Sequence, residues 1–128
     1  MTAIRFEIPI KPIPKGRPRL GTGRVYTPKR TKDFEEQVRF MARAAFNAHG
    51  VRPFDKGVYV YALFCFKGKQ GGDNYTSTSD IDNLQKSLFD GLNGVAYKDD
   101  RQIVFVRARK QWAKQDGISV VVADEEQV

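Results

Sequence analysis

Two aspartates and a lysine have a spacing that suits chemistry at a phosphate group. Asp80 and Asp82 stand two positions apart, and Lys86 follows Asp82 by one helical turn. Residues two apart in an extended stretch point the same way, and residues four apart share a helix face. We therefore expect Asp80, Asp82 and Lys86 to converge on one point.

A second acidic pair, Asp99-Asp100, follows the helix that is predicted to begin near Asp82. A helix of about a dozen residues and a return loop bring this pair back to the same end of the sheet. Neighbouring carboxylates repel one another unless a hard cation neutralises them, and Mg²⁺ prefers such oxygen ligands. An acidic cluster beside a lysine in a basic protein therefore suggests metal-assisted cleavage of a phosphodiester.

The spacing alone favours a structural alternative for the same residues. In that interpretation Asp80 and Asp82 are ordinary N-cap residues of a helix, and Asp99-Asp100 forms an ordinary turn. Both interpretations stay open when only the spacing is considered.

The charge of the chain is uneven along the sequence. The 128 residues include 22 Lys and Arg against 15 Asp and Glu, which gives a net charge of +7 and a pI near 9.7. Residues 11–32, here called the basic segment, contain eight Lys and Arg and no acid. A second basic group comprises Arg101, Arg107, Arg109, Lys110 and Lys114. Clustered positive charge indicates a polyanionic partner, most often nucleic acid, and plain solubility is the alternative.

The elements that must position these residues follow from periodicity. Alternating apolar residues from Ile4 to Ile10 predict an edge strand, because Pro9 has no N–H to donate. Residues 11–28 are predicted to form an extended arm or wide hairpin. A first helix is predicted with Thr31 as its cap and Gly50 as its stop, and Leu84, Leu88 and Leu92 mark a second helix.

Three further runs are rich in strand-forming residues. Residues 58–66 are apolar on both faces and are predicted to form a central strand covered on both sides, with Cys65 as a buried thiol. Residues 103–110 and Gly117–Ala123 are predicted to form a hairpin. The order of the elements predicts one α+β domain over residues 1–128, in which two main helices pack on a mixed sheet.

Composition excludes several classes of protein. No apolar run approaches the ~20 residues of a membrane-spanning helix, and no secretory signal is evident. One Cys and one His exclude an internal disulfide and a Cys/His zinc site. We therefore expect a cytoplasmic protein that has no membrane partner and no structural zinc.

The motifs resemble those of a known family. The string Asp-Ile-Asp-Asn-Leu-Gln-Lys at residues 80–86 and the string Asp-Asp-Arg-Gln-Ile at residues 99–103 look like the signature of RusA-type Holliday-junction resolvases. Residues 14–19 and 24–28 are similar to the N-terminal part of phage-type members. The best-known members have an arginine run just before the first acid, where this chain has Tyr-Thr-Ser-Thr-Ser at residues 75–79.

The resemblance implies an α+β, RusA-like fold and a Mg²⁺-dependent homodimeric endodeoxyribonuclease of bacteria or phage-infected cells. Such an enzyme resolves four-way DNA junctions by paired nicks that leave 5′-phosphate ends, with Mn²⁺ as a candidate substitute metal and no nucleotide cofactor. The resemblance assigns metal binding to Asp80, Asp82 and Asp100 and a catalytic role to Lys86. Asp99 and Asn83 are accessory candidates. The expected DNA contacts are Lys15, Arg17, Arg19, Arg24, Lys29, Arg30, Lys67 and Lys69.

Two alternative functions accompany this prediction. One is a less specific nuclease that acts on flaps and other branched DNA. The other is a DNA-binding module without catalysis, in which the acids are structural. The intact set of Asp80, Asp82, Lys86 and Asp100 argues against the second alternative.

Overall fold

A computed structural model describes most of the chain: residues 1–16, 19–21, 24–68 and 79–127. For residues 19–21 and 24–26 only the backbone is described. The predicted DNA contacts Arg17 and Lys69 lie outside the described residues. So do residues 75–78, which lie in the stretch where the best-known members of the resembled family have an arginine run. The side chains of Arg19 and Arg24 are also outside the description.

The described chain contains six strands and two α-helices. In chain order these are β1 (Ala3–Ile8), β2 (Arg19–Gly21), β3 (Arg24–Tyr26), α1 (Lys29–Ala48), β4 (Val58–Lys67), α2 (Ile81–Leu92), β5 (Ile103–Ala113) and β6 (Gly117–Ala123). A single 3₁₀ turn, Asp100–Gln102, precedes β5. Neither helix has both the length and the apolar character of a membrane span.

Four strands form one mixed sheet in the order β1-β6-β4-β5. β4 is antiparallel to β6 and parallel to β5, and β1 is antiparallel to β6. The parallel pairing follows from connectivity, because α2 crosses one face of the sheet between β4 and β5. β2 and β3 form a separate two-stranded ribbon. The α+β prediction and the edge position of β1 are confirmed.

The predicted hairpin between the last two strands is wrong. β4 lies between β5 and β6 and pairs with both of them. Residues 114–116 therefore pass over the end of β4, where the Lys67 N–H donates to Asp116 Oδ1 at 2.7 Å and the Gly68 N–H donates to the Ala113 carbonyl at 3.1 Å. The connection is short because it crosses only one strand.

β4 is central in the sheet, but only one of its faces is covered. Burial alternates strictly along it, and Val58, Val60 and Phe64 are fully buried under the helices. The residues on the other face are half-buried, and neither described helix packs on it, so the predicted cover on both sides is wrong for the part of the chain that the structure describes. Cys65 lies on this face and is half-exposed rather than buried, and partial burial raises the pKa of its thiol.

Helix α1 begins three residues earlier than predicted from Thr31 as its cap. Its N-cap position is Pro28, which has no side-chain donor or acceptor, and Lys29 is the first helical residue. Thr31 is therefore a buried residue inside the helix, and its Oγ1 accepts a hydrogen bond of 3.0 Å from the Gly16 N–H. The helix ends at Ala48, and Gly50 has a positive φ of 65°, as expected for a stop at this point.

Helices α1 and α2 pack closely at one glycine. A Cβ built on Gly91 would lie 2.7 Å from the Cβ of Val38, closer than two side chains can approach. The leucines of α2 predicted from spacing, Leu84, Leu88 and Leu92, are all fully buried. Burial of this face turns the opposite face of α2, which contains Asp82 and Lys86, toward solvent.

Candidate active site

The first acidic motif lies at the start of α2. Asp80 occupies the N-cap position, but its side chain makes no capping hydrogen bond, and its carbonyl accepts from the Leu84 N–H at 3.1 Å. Asp82 lies in the first turn, and its Oδ1 accepts from the Asn83 N–H at 3.0 Å. Both carboxylates are exposed. Side-chain capping by Asp80, the structural alternative, is therefore not what the structure shows.

Three charged residues share one face of α2 at intervals of one turn: Asp82, Lys86 and Asp90. Asp82 and Lys86 are exposed, whereas Asp90 is half-buried between the helices. The Arg39 guanidinium of α1 donates to the Asp90 carbonyl at 3.0 Å. The helix thus presents a carboxylate and an ammonium group to solvent and holds a second carboxylate nearer the core.

The second acidic pair lies in the turn before β5, and Gln102 fixes its shape. Asp99 Oδ1 accepts from the Arg101 N–H at 2.9 Å. The Asp99 side chain also accepts from the Gln102 N–H, and Gln102 Oε1 accepts from the Asp99 N–H at 3.1 Å, and these two bonds between Asp99 and Gln102 form a capping box. Gln102 Nε2 also donates to the carbonyls of Phe54 and Lys56 at 2.8 and 2.9 Å. Asp99 is therefore a capping residue of this turn.

Asp100 lies within the electrostatic reach of α2. Burial raises the pKa of its carboxyl, interactions with Asp99 and the charge of Asp90 raise it further, and the Lys86 ammonium opposes them. The backbone hydrogen bond from Arg101 instead lowers the pKa of Asp99. Two acids that are adjacent in sequence therefore differ in protonation behaviour, and the charges of Asp90 and Lys86 from α2 both act on Asp100.

Tyr97 joins the two halves of this region beneath the surface. It is fully buried, and its hydroxyl donates to the Phe89 carbonyl of α2 at 2.9 Å. Burial, followed by the charges of Asp100, Asp90 and Asp99, raises its pKa well above the ordinary value. Tyr97 therefore remains a neutral phenol that links α2 to the acidic turn.

A divalent cation fits the donor chemistry of this surface but has no preassembled cage. Carboxylate oxygens on an exposed surface are the ligands Mg²⁺ prefers, because water completes its shell. The mutual repulsion of Asp90, Asp99 and Asp100, which contributes to the raised pKa of Asp100, is what a cation would relieve. Within the described ranges, however, no three His, Cys, Asp or Glu residues are grouped closely enough to hold one ion. Asp80, Asp82 and Asp100 thus do not form one three-carboxylate site in this conformation.

Lys110 supports the start of α2 from the neighbouring strand. Its Nζ donates to the Ser79 carbonyl at 2.8 Å, one residue before Asp80. Lys110 belongs to the second basic group, and the sequence by itself assigns it no role beyond its charge. Lys110 lies on β5 opposite Phe64 of β4.

The predicted DNA contacts differ in how far their charge is available. Arg30 and Lys67 are exposed, and Lys29 is exposed with a 2.7 Å ion pair to Asp33. Lys15 differs, because Glu35 and Asp90 both bind its ammonium at 2.7 and 2.8 Å. The exposed members are open to a large polyanion, whereas Lys15 is held within the fold.

The comparison with known proteins decides the family. The family model for endodeoxyribonuclease RusA matches residues 9–123, which is most of the chain. The chain belongs to the RusA family. It is also 27% identical over 139 residues to the uncharacterized protein YqaN of Bacillus subtilis (strain 168), with 97% of this chain and 98% of that protein covered. The resemblance inferred from the motifs is therefore confirmed, and with it the endodeoxyribonuclease class.

Three residues that act on this RusA-family site were not among its predicted site residues, although Asp90 and Gln102 belong to the stretches that resemble the family. Gln102 and Lys110 hold backbone beside the motif acids, and Asp90 adds a charge that acts on Asp100. The Asp-x-x-Gln spacing of Asp99 and Gln102 is a capping-box pattern, so Gln102 was recognisable from sequence. No comparable local pattern indicates the contact between Lys110 and Ser79.

Proposed function

We propose that this RusA-family protein is a Mg²⁺-dependent endodeoxyribonuclease that resolves four-way DNA junctions by paired nicks. The observation that carries the proposal is the family match over residues 9–123 with the motif residues Asp80, Asp82, Lys86 and Asp100 intact. The exposure of the first three supports it further, because a branched DNA needs a site at the surface rather than in an enclosed pocket.

The roles of the residues follow from their chemistry. Asp80, Asp82 and Asp100 would hold the metal, and DNA and metal together would draw the separate acids closer. When bound, Mg²⁺ supplies charge that polarises the phosphate and lowers the pKa of a coordinated water. Lys86 stabilises the negative charge that develops on the phosphate oxygens. Hydrolysis leaves a 5′-phosphate and a 3′-hydroxyl.

Paired nicking requires two sites related by symmetry. A homodimer with a two-fold axis matches the pseudo-two-fold symmetry of a four-way junction and places one site on each of two opposed strands. The proposal therefore includes a homodimer. DNA contacts would come from the exposed members of the basic segment and from Lys67, which neutralise phosphates without reading sequence.

One incubation series tests the function. Purified protein is mixed with a labelled four-way junction, a three-way flap or a linear duplex of matched sequence, in Mg²⁺ or in EDTA. We expect symmetric nicks in the junction only, and only with Mg²⁺. Equal cleavage of flap and junction would replace the proposal by a less specific branched-DNA nuclease. Junction binding with no cleavage in Mg²⁺ or Mn²⁺ would indicate a non-catalytic binding module.

A further inference from the structure

Lys15 is the most enclosed of the described candidate DNA contacts. Its Nζ lies 2.7 Å from Glu35 Oε2 of α1 and 2.8 Å from Asp90 Oδ2 of α2. The side chains of Lys15, Glu35 and Asp90 are only 18%, 15% and 21% exposed. One cation therefore joins the two helices through two partly buried carboxylates, and its loss would be unfavourable because a partly buried charge would lose a direct partner.

The backbone around Lys15 is bound to the same two helices. The Lys15 N–H donates to the Asn83 carbonyl of α2 at 2.9 Å, and Ser87 Oγ of α2 donates to the Ile13 carbonyl. On the other side, the Gly16 N–H donates to Thr31 of α1 at 3.0 Å. A Cβ on Gly16 would lie 2.9 Å from that Thr31 oxygen, so the close approach requires glycine. Residues 13–16 are thus fixed between the helices.

This contact lies beside the residues of the proposed active site. Asn83, which accepts from the Lys15 N–H, directly follows Asp82, and Asp90 is one turn from Lys86. The charge of Asp90 also acts on Asp100. Removal of the Lys15 ammonium would remove this ion pair from α2 and leave Asp90, whose charge acts on Asp100, without its Lys15 partner.

We propose that Lys15 is a positioning residue of the active site, which holds α2 against α1 and balances Asp90, and that it is not a phosphate contact. The inference rests on the proposed nuclease function. The inference distinguishes Lys15 from the other cations of the basic segment, which would contact DNA phosphates. The basic segment would therefore be attached near its start, at residues 13–16, to the helix that contains the proposed catalytic Lys86.

The test separates positioning from phosphate binding with two readouts. Single-turnover cleavage of a four-way junction at saturating protein reports positioning. The slope of log K against log salt for junction binding in Ca²⁺ reports phosphate contacts, each worth about 0.9. For Lys15→Met we expect cleavage to fall at least tenfold and the slope to stay within about 0.3 of the wild type. A slope reduced by about 0.9 with normal cleavage would overturn the proposal.

A double variant of Lys15 and Asp90 tests whether these two residues act through their ion pair. Asp90→Asn should also lower cleavage, and Lys15→Met with Asp90→Asn should be no slower than the slower single variant, because both changes remove one link. Losses that multiply would contradict that link. If Lys15→Met does not fold, Asp90→Asn keeps the Glu35 pair and still decides: cleavage equal to wild type would overturn the proposal.

The same variants distinguish failure of this inference from failure of the proposed function. Wild-type protein that does not cleave the junction refutes the nuclease function, and with it a role for Lys15 in cleavage. Urea unfolding of the two single variants and the double variant measures the coupling between Lys15 and Asp90 without any activity. Additive losses of stability there would refute the ion-pair link itself, whether or not the wild type cleaves DNA.

Discussion

At the scale of single residues, the structure divides the acids of the two motifs into different roles. Asp99 caps the turn before β5, so the structural interpretation holds for it. Asp80 occupies an N-cap position without using its side chain as a cap, and Asp82 accepts a hydrogen bond from the next N–H in its own turn. The carboxylates of Asp80 and Asp82 are therefore exposed on a surface where the charges of Lys86 and Asp90 act on Asp100.

The proposed metal-binding role of Asp82 predicts a clear loss of cleavage activity when its charge is removed. Asp82→Asn keeps the size of the side chain and removes one charge from the proposed metal site. We expect junction cleavage to fall by at least about 100-fold, a few kcal/mol of transition-state stabilisation. Junction binding should persist or tighten, because one repulsive charge is gone. Near-normal nicking at saturating Mg²⁺ would refute the ligand role.

The hydrogen bond from Lys110 to the Ser79 carbonyl predicts that a substitution outside both motifs lowers activity. Lys110→Met removes the hydrogen bond to the Ser79 carbonyl and allows the start of α2 to shift. A misplacement of about 1 Å can cost up to ~100-fold in rate, so we expect cleavage to fall by about tenfold. Lys114→Met, which removes an exposed lysine just beyond β5, is the matched control. Equal rates for the two variants would mean that Lys110 does not position Asp80.

At the scale of elements, the site depends on how closely α2 packs against α1. Gly91 allows the two helices to approach, and Arg39 and Lys15 join them on the side that contains Asp90. Tyr97 attaches the other side of α2 to the segment before the acidic turn. The position of the motif residues is therefore set by contacts that the motifs themselves do not include.

Gly91→Ala tests this packing, because close helix contact predicts a loss of stability whereas helix propensity alone predicts a gain. Alanine in a helix is intrinsically better than glycine by about 1 kcal/mol. Here the added methyl group would meet Val38, and overpacking of this kind costs about 1–3 kcal/mol. We expect urea unfolding to show a lower free energy of unfolding, and a smaller loss in a Val38→Ala background. Stabilisation by Gly91→Ala would show that the helices are not in close contact at this point.

At the scale of the whole molecule, charge and topology separate two surfaces. The helices cover one face of the sheet. The other face is open and forms a broad concavity of about 660 Å³ that is lined by Arg107 and Arg109 among others. Arg107 stacks 5.9 Å from the centre of the Tyr61 ring. Positive charge therefore occurs both in the basic segment and on the open face.

A salt series decides which surface binds DNA. If the basic segment contacts phosphates, Arg17→Ala with Arg19→Ala should flatten the dependence of log K on log salt by roughly one to two units per subunit. Fluorescence anisotropy of a labelled junction in Ca²⁺ measures this slope. Arg107→Ala with Arg109→Ala is the matched comparison from the open face, and we expect its slope to be unchanged. The reverse result would assign DNA binding to the open face.

Local pattern was sufficient for the elements and for the residues of the motifs. The leucine spacing of α2 predicted its buried face, because helix periodicity and burial are properties of a short stretch of chain. The motifs at residues 80–86 and 99–103 identified the family, which the match over residues 9–123 confirms. Gly50 likewise marked the end of α1, because a left-handed stop depends on one residue.

Tertiary structure alone decided which elements meet. Strands β5 and β6 are consecutive in sequence, yet β4 lies between them, since backbone hydrogen bonds do not depend on side-chain identity and any edge of suitable direction can pair. For the same reason the open face of β4 and the exposure of Cys65 were not predictable from an apolar run. Lys15 looked like a DNA contact because the charge of a residue is visible in the sequence. Its partners Glu35 and Asp90 lie 20 and 75 positions away and approach it only when α1 and α2 pack together.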